Sequence, residues 1–237
     1  MNETSRASRS SVDTVRFTIV FLLVTVLVYG AVYCAAVSIS RFAACLSVFA
    51  FSAVLAAFIT LAGRAAFYRL SLPEIDTPFK ALRILPLLIV PVFLLAEFGF
   101  PVPDAGWFLL AGAALTEEII FRGFFPRLFP NMPRLAVTVL SAAVFALFHF
   151  VNLLSKPFSP APWIQIFCAF CAGVLFSAVT FDLNSLLPSF FAHFFINCVT
   201  PETKTDFSIP EMLSWVAVLL FGLLFAARPA VYHKKGL

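Results

Sequence analysis

The chain has 237 residues, of which 62% are hydrophobic and 12% charged, with a net charge of +4 and five cysteines, and its mean hydropathy is +1.00. A soluble domain carries about half apolar and about a quarter charged residues, so this composition excludes a soluble globular protein and makes lipid the solvent. The positive charge reports membrane topology, and no nucleic-acid partner follows from it.

Apolar runs of about 20 residues, the length that crosses a bilayer, recur along the chain. They lie near 16–38, 43–63, 83–100, 106–126, 134–154, 162–181, 184–200 and 212–229. The expected fold is all-α, one membrane domain over residues 1–237 built as a bundle of about eight transmembrane helices. The first run continues well past the apolar core of a signal peptide and has no small-residue cleavage site after it, so it reads as a retained span. Between the second and third runs, Arg64 to Arg83 with its SLPEIDTP stretch is the longest connection on its side and lies at the interface. The connection around Asp182 to Asn184 is so short that the two helices it joins must be antiparallel neighbours. Pro201 to Glu211 is a polar loop on the far side, and the two halves of the chain show no repeat.

Cytoplasmic loops collect Lys and Arg. With a cytoplasmic N-terminus, that side receives Arg6, Arg9, Arg16, Arg64, Arg69, Lys80, Arg83, Arg122, Arg127, Arg134, Arg228, Lys234 and Lys235, 13 of the 16 basic residues. Only Arg41, Lys156 and Lys204 fall opposite. The split favours an even number of spans and an integral protein of the cell membrane with both termini cytoplasmic. The cysteines Cys34, Cys45, Cys168, Cys171 and Cys198 all lie in or at the ends of apolar runs, where a thiol behaves as a small hydrophobe. A single C-x-x-C at Cys168 and Cys171 inside a membrane helix is weak evidence for redox or zinc chemistry.

An ionisable side chain at the bilayer centre costs roughly 3 kcal/mol on insertion scales, so such residues face a protein interior or a wet cavity. Here the set is Glu97, Glu117, Glu118, Arg122, His149, His193 and Asn197, and all but Glu97 lie in the fourth, fifth and seventh runs. Glu118 and Arg122 are one helical turn apart and share a face, whereas Glu117 is rotated by about 100° from Glu118. Arg122 therefore pairs with Glu118, and Glu117 is expected to have different neighbours. His193 and Asn197 form one polar face by the same spacing, and His149 closes its run four residues after Phe145. At the helical rise, Glu117 and Glu118 lie roughly 14 Å from Arg127 and His193 roughly 14 Å from Asn184, while His149 comes out nearer 22 Å from Arg134. The fifth span must tilt or begin within the headgroups to bring His149 to the others.

The stretches EEIIFR (Glu117, Glu118, Arg122), FALFH (Phe145, His149) and HFFIN (His193, Asn197), in this order on the fourth, fifth and seventh candidate helices, resemble the three motifs of the CAAX prenyl protease and bacteriocin-processing family of intramembrane proteases. The resemblance covers about residues 80–200. It implies that Glu117 is the general base on the attacking water, with His149 holding and polarising that water. It implies further that His193 and Asn197 stabilise the oxyanion, and that Glu118 and Arg122 are a structural pair beside them. The activity it implies is an endopeptidase acting on membrane-associated substrates, either C-terminal processing of CAAX-type prenylated proteins or maturation of a peptide such as a bacteriocin precursor.

Peptide hydrolysis needs a base to deprotonate water and donors aimed at the developing oxyanion, both more effective where bulk water is scarce. Serine and cysteine mechanisms fit less well, since no serine lies in the motifs and Cys198 has no assigned base. No cofactor is favoured. A divalent metal such as zinc, ligated by Glu117, His149 and His193, is the alternative, although no H-E-x-x-H occurs. The alternative function is a non-proteolytic membrane scaffold, or an ion- or proton-coupled transporter that uses the same buried polar residues. The partners expected are the bilayer and a peptide or lipidated-protein substrate. The 31 phenylalanines read as core and lipid-facing bulk.

Overall fold

In the computed structural model the described residues are 39–100, 102–104, 106–150, 159–200 and 208–228, together with Ile19 and Val28. The first expected span, 16–38, lies outside them apart from those two residues, as do Lys156, Lys204 and most of the polar loop from Pro201. Several helices begin where a capping hydroxyl or a proline starts them. The Ser40 hydroxyl accepts the Ala43 amide ahead of α1 (Arg41–Leu61). Thr77 caps α2 (Pro78–Leu82), which has proline in its first turn. Because of that cap, the third span begins earlier than the expected residue 83. After α2 it passes through a 3-10 turn at Leu85–Leu88 into α3 (Ile89–Phe98). Pro86 and Pro91 lack the amide protons that a continuous α-helix would use.

Next come α4 (Gly106–Glu118), a π-helical segment (Ile119–Phe124) and a 3-10 turn (Phe125–Leu128). They are followed by α5 (Arg134–Phe148), α6 (Ala161–Leu183), α7 (Leu187–Val199) and α8 (Ile209–Ala226). Among the described residues there is no strand. Among the described residues four stretches are long and apolar enough to cross a membrane: Phe42–Leu61, Pro78–Phe98, Ala161–Leu183 and Ile209–Ala226. The expected first span lies outside those residues apart from Ile19 and Val28. At the helical rise, α5 and α7 are only about 22 Å and about 20 Å long, short of a hydrocarbon layer of about 30 Å. The motif residues thus sit on the short or irregular helices.

α6 is the central post, buried along most of its length from Ala169 to Leu183 and packed between α5 and α8. α4 packs between α1 and α7. Two of these contacts need glycine because the backbones nearly touch. A Cβ on Gly112 of α4 would lie 2.7 Å from the backbone of Phe49 in α1, and one on Gly222 of α8 would lie 2.7 Å from the Leu175 amide in α6. The α1–α4 seam carries a polar clamp as well: the buried Ser52 hydroxyl donates to Gly112 O at 2.7 Å or pairs with Thr116 Oγ1 at 2.6 Å.

The short connection is as expected. α6 ends in the left-handed residue Asn184 (φ 49°), α7 follows at once, and the pair is tied by Thr180 to Ser189 (3.1 Å) and by the Ser189 hydroxyl to Phe176 O (3.1 Å). Three basic residues converge on this end. Arg83 and Arg134 both pair with Asp182, and Arg69 lies over the Phe181 ring. The Arg64–Arg83 connection is more than an interfacial strap, because its backbone docks on the α6–α7 turn through Glu74 N to Leu183 O and Leu186 N to Arg69 O, both 2.8 Å. The described cysteines are free thiols.

Candidate functional site

The site forms where α4 gives way to the π segment. Switching from i→i+4 to i→i+5 bonding widens the turn and loosens the backbone bonding on one face. Two side chains from elsewhere take carbonyls of this segment: the Ser141 hydroxyl of α5 donates to Phe121 O (2.7 Å) and Arg69 Nη1 to Arg122 O (3.1 Å). Glu117 and Glu118 are the last residues before the switch, and Arg122 lies inside it.

Glu118 and Arg122 are paired as the spacing predicts, at 3.1 Å, and both side chains are fully buried. The pairing is one of charge proximity, because none of the three guanidinium nitrogens of Arg122 has a partner in hydrogen-bonding geometry. Aromatic faces supply the rest of its surroundings: the guanidinium carbon lies 4.5 Å from the centre of the Phe145 ring and 5.5 Å from that of Phe176. Arg122 is accordingly an interior cation, and the one-sided basic set of the sequence loses it as a loop charge.

The expectation that Glu117 and Glu118 have different neighbours is corrected. His193 of α7 lies between them, with Nδ1 3.0 Å from Glu118 Oε1 and Nε2 3.6 Å from Glu117 Oε2. Carboxylates about 100° apart on a helix reach opposite edges of one ring when that ring inserts from a facing helix. The His193 side chain is 8% exposed and that of Glu117 33%, so the accessible side of the cluster is the side of Glu117. The Phe145 and Phe176 rings pack on His193 at 5.6 and 5.8 Å between centres.

His149 sits just beyond α5, and its Nδ1 lies 3.0 Å from Phe145 O. A carbonyl only accepts, so that nitrogen carries the proton and Nε2 of the neutral ring keeps its lone pair. Among the described residues no ion pair joins His149 to either glutamate. The shared element is Phe145, whose ring meets His149 at 5.0 Å and His193 at 5.6 Å. The greater depth reckoned for His149 has its explanation here: Phe145 is at the level of His193, and His149 is one turn further on. Asn197 follows His193 by one turn and is half-buried.

Among the described residues no three His, Cys, Asp or Glu side chains gather closely enough to hold a metal ion. Of the alternative ligand trio, Glu117 and His193 meet, and Phe145 packs against both His149 and His193. Sequence reasoning missed Phe176, Ser141 and Arg69. Phe176 is one phenylalanine among 31, and the other two act on backbone carbonyls that no motif spacing marks.

A family model described as type II CAAX prenyl endopeptidase Rce1-like matches residues 101–199, in agreement with the resemblance carried by the three motifs. No curated protein and no solved structure gives a match.

Proposed function

Residues 101–199 match Rce1-like type II CAAX prenyl endopeptidases, and from that premise we propose that the chain is an intramembrane endopeptidase that cleaves membrane-associated peptide or lipidated-protein substrates with water activated by Glu117. The observation that carries this reading is the imidazole of His193 lying between two carboxylates, one buried and one accessible. Glu117 is the accessible one, suited to remove a proton from a water that attacks the scissile carbonyl carbon. His149 Nε2 accepts the other hydrogen of that water and orients it. The carbonyl oxygen becomes the oxyanion, with Asn197 and His193 as its donors. Glu118 holds the Nδ1 edge of His193, which leaves its Nε2 edge as the one on the Glu117 side. Collapse of the tetrahedral intermediate breaks the C–N bond, and the proton taken up by Glu117 passes to the leaving amine.

In this reading Glu118, Arg122 and Phe145 position His193 and His149, no metal takes part, and the protein lies in the cell membrane with both termini in the cytoplasm. The residue types support processing next to a lipidated cysteine and maturation of an apolar peptide equally. The test is cleavage of labelled peptides by the purified protein, some prenylated near the C-terminus and some not. Glu117→Gln keeps size and hydrogen-bonding capacity but removes the proton acceptor, so cleavage should fall about 100-fold or more while the fold persists. Activity should survive extended chelation. Loss on chelation that zinc restores would replace the mechanism with a metal one. Near-normal cleavage by Glu117→Gln would sink both mechanisms, and a parent protein that cleaves none of the peptides would leave a scaffold or transporter.

A further inference from the structure

Arg69 stands more than thirty residues ahead of the matched segment 101–199 and belongs to none of the three motifs. It nevertheless touches three elements around the site: the π segment, the start of α7 and the end of α6. Its Nη1 donates to Arg122 O at 3.1 Å, within the π segment that follows Glu117 and Glu118. Its own carbonyl accepts the amide of Leu186 at 2.8 Å, the residue that caps the start of α7. Its guanidinium lies 4.6 Å from the centre of the Phe181 ring near the end of α6. We propose that Arg69 is a positioning residue for the site, a bracket that sets the spacing between the Glu117–Glu118 end of α4 and the His193 helix.

Two observations make the bracket specific. The Arg69 backbone is left-handed (φ 60°), a conformation that costs a non-glycine residue free energy and persists only where the surroundings hold it. Its neighbours hold it: Tyr68 packs on Phe124 at 4.3 Å between ring centres, and a Cβ on Gly123 would come within 3.1 Å of Tyr68 O. The loop therefore seats on the π segment at Tyr68 and reaches both site helices at Arg69. A carbonyl in a π turn has a displaced intrahelical partner, so an outside donor at Arg122 O decides how that turn is held and where the Arg122 guanidinium meets Glu118. At the other end, His193 follows Leu186 by seven residues, about two turns or roughly 10 Å of helix, so fixing Leu186 fixes the height of the imidazole.

The kinetic arm of the test rests on the peptidase reading above; the structural arm does not. Full-length Arg69→Gln, Arg69→Gly and Arg69→Lys proteins in lipid nanodiscs would be compared with the parent by amide hydrogen exchange and by cleavage of a labelled membrane peptide. Glycine tolerates the left-handed backbone, so Arg69→Gly isolates the side chain if Arg69→Gln folds poorly. In the Gln and Gly variants, exchange over residues 119–124 and 187–193 should rise about fivefold or more, with residues 41–61 unchanged. Because small misplacements of reacting groups slow chemistry more than binding, kcat should fall about 10-fold with KM within about twofold, and Arg69→Lys should restore part of it. Unchanged exchange in both segments overturns the bracket. So does faster exchange with kcat per folded molecule unchanged, which is the signature of a merely structural loop. If the parent cleaves no peptide, the peptidase reading fails by itself, and the exchange result alone decides whether Arg69 ties the π segment to the start of α7.

Discussion

Replacing Arg122 by alanine removes the cation from an interior that still holds Glu118. Both side chains have no solvent exposure, so water does not screen the charge left behind. Removing one partner of a buried pair costs roughly 3–5 kcal/mol. The guanidinium also fills the space between the Phe145 and Phe176 rings, which adds to the loss. Against this, three guanidinium nitrogens without hydrogen-bond partners disappear with the side chain, so we keep the range for the charge alone. For a protein of this size about 1 kcal/mol moves the melting temperature by about 2–4 °C, so Arg122→Ala should melt lower by roughly 6–20 °C. The assay is thermal unfolding of detergent-purified protein followed by size-exclusion fluorescence, with Arg122→Met, Glu118→Gln and the double substitution Glu118→Gln, Arg122→Met alongside. If the cost is the stranded carboxylate, the double variant should recover much of what Arg122→Met loses. A melting temperature for Arg122→Ala within about 3 °C of the parent, or a double variant no better than the sum of its parts, would refute the pairing.

Two further outcomes follow from the architecture. Gly112→Ala places a methyl 2.7 Å from the Phe49 backbone. It should force α1 from α4 at a cost of about 1–3 kcal/mol, read as a lower folded yield and melting temperature; an unchanged melt would mean that the seam can slide. Tags on the two termini should be reached by a membrane-impermeant reagent only from the cytoplasmic side, and labelling of the C-terminal tag from outside would break the assigned topology.

Much of the molecule can be read without its fold, because lipid leaves the backbone few options. Apolar runs must become helices there, so their existence follows from composition and length. The tight α6–α7 turn follows from three residues around Asp182, and the meeting of Glu118 with Arg122 follows from their spacing, since both are local. The three motifs, in order on three helices, likewise carry the family resemblance and mark the site residues.

What the residues left open depends on how helices face one another. Span boundaries moved where prolines and caps intervened, as at Thr77 and Pro78, and α5 and α7 came out too short to cross the membrane alone. One helix cannot tell that a ring from another will enter between adjacent carboxylates, so Glu117 and Glu118 sharing His193 required the packing of α7 on α4. The π segment is likewise invisible in periodicity, because its wider turn persists through Ser141 and Arg69, donors brought from other elements. Residue identity and helical period set which groups are polar, buried and on one face; only the tertiary arrangement decides which of them meet, since that distance is fixed by close backbone contacts such as Gly112 on Phe49 and by loops docked far away in the chain.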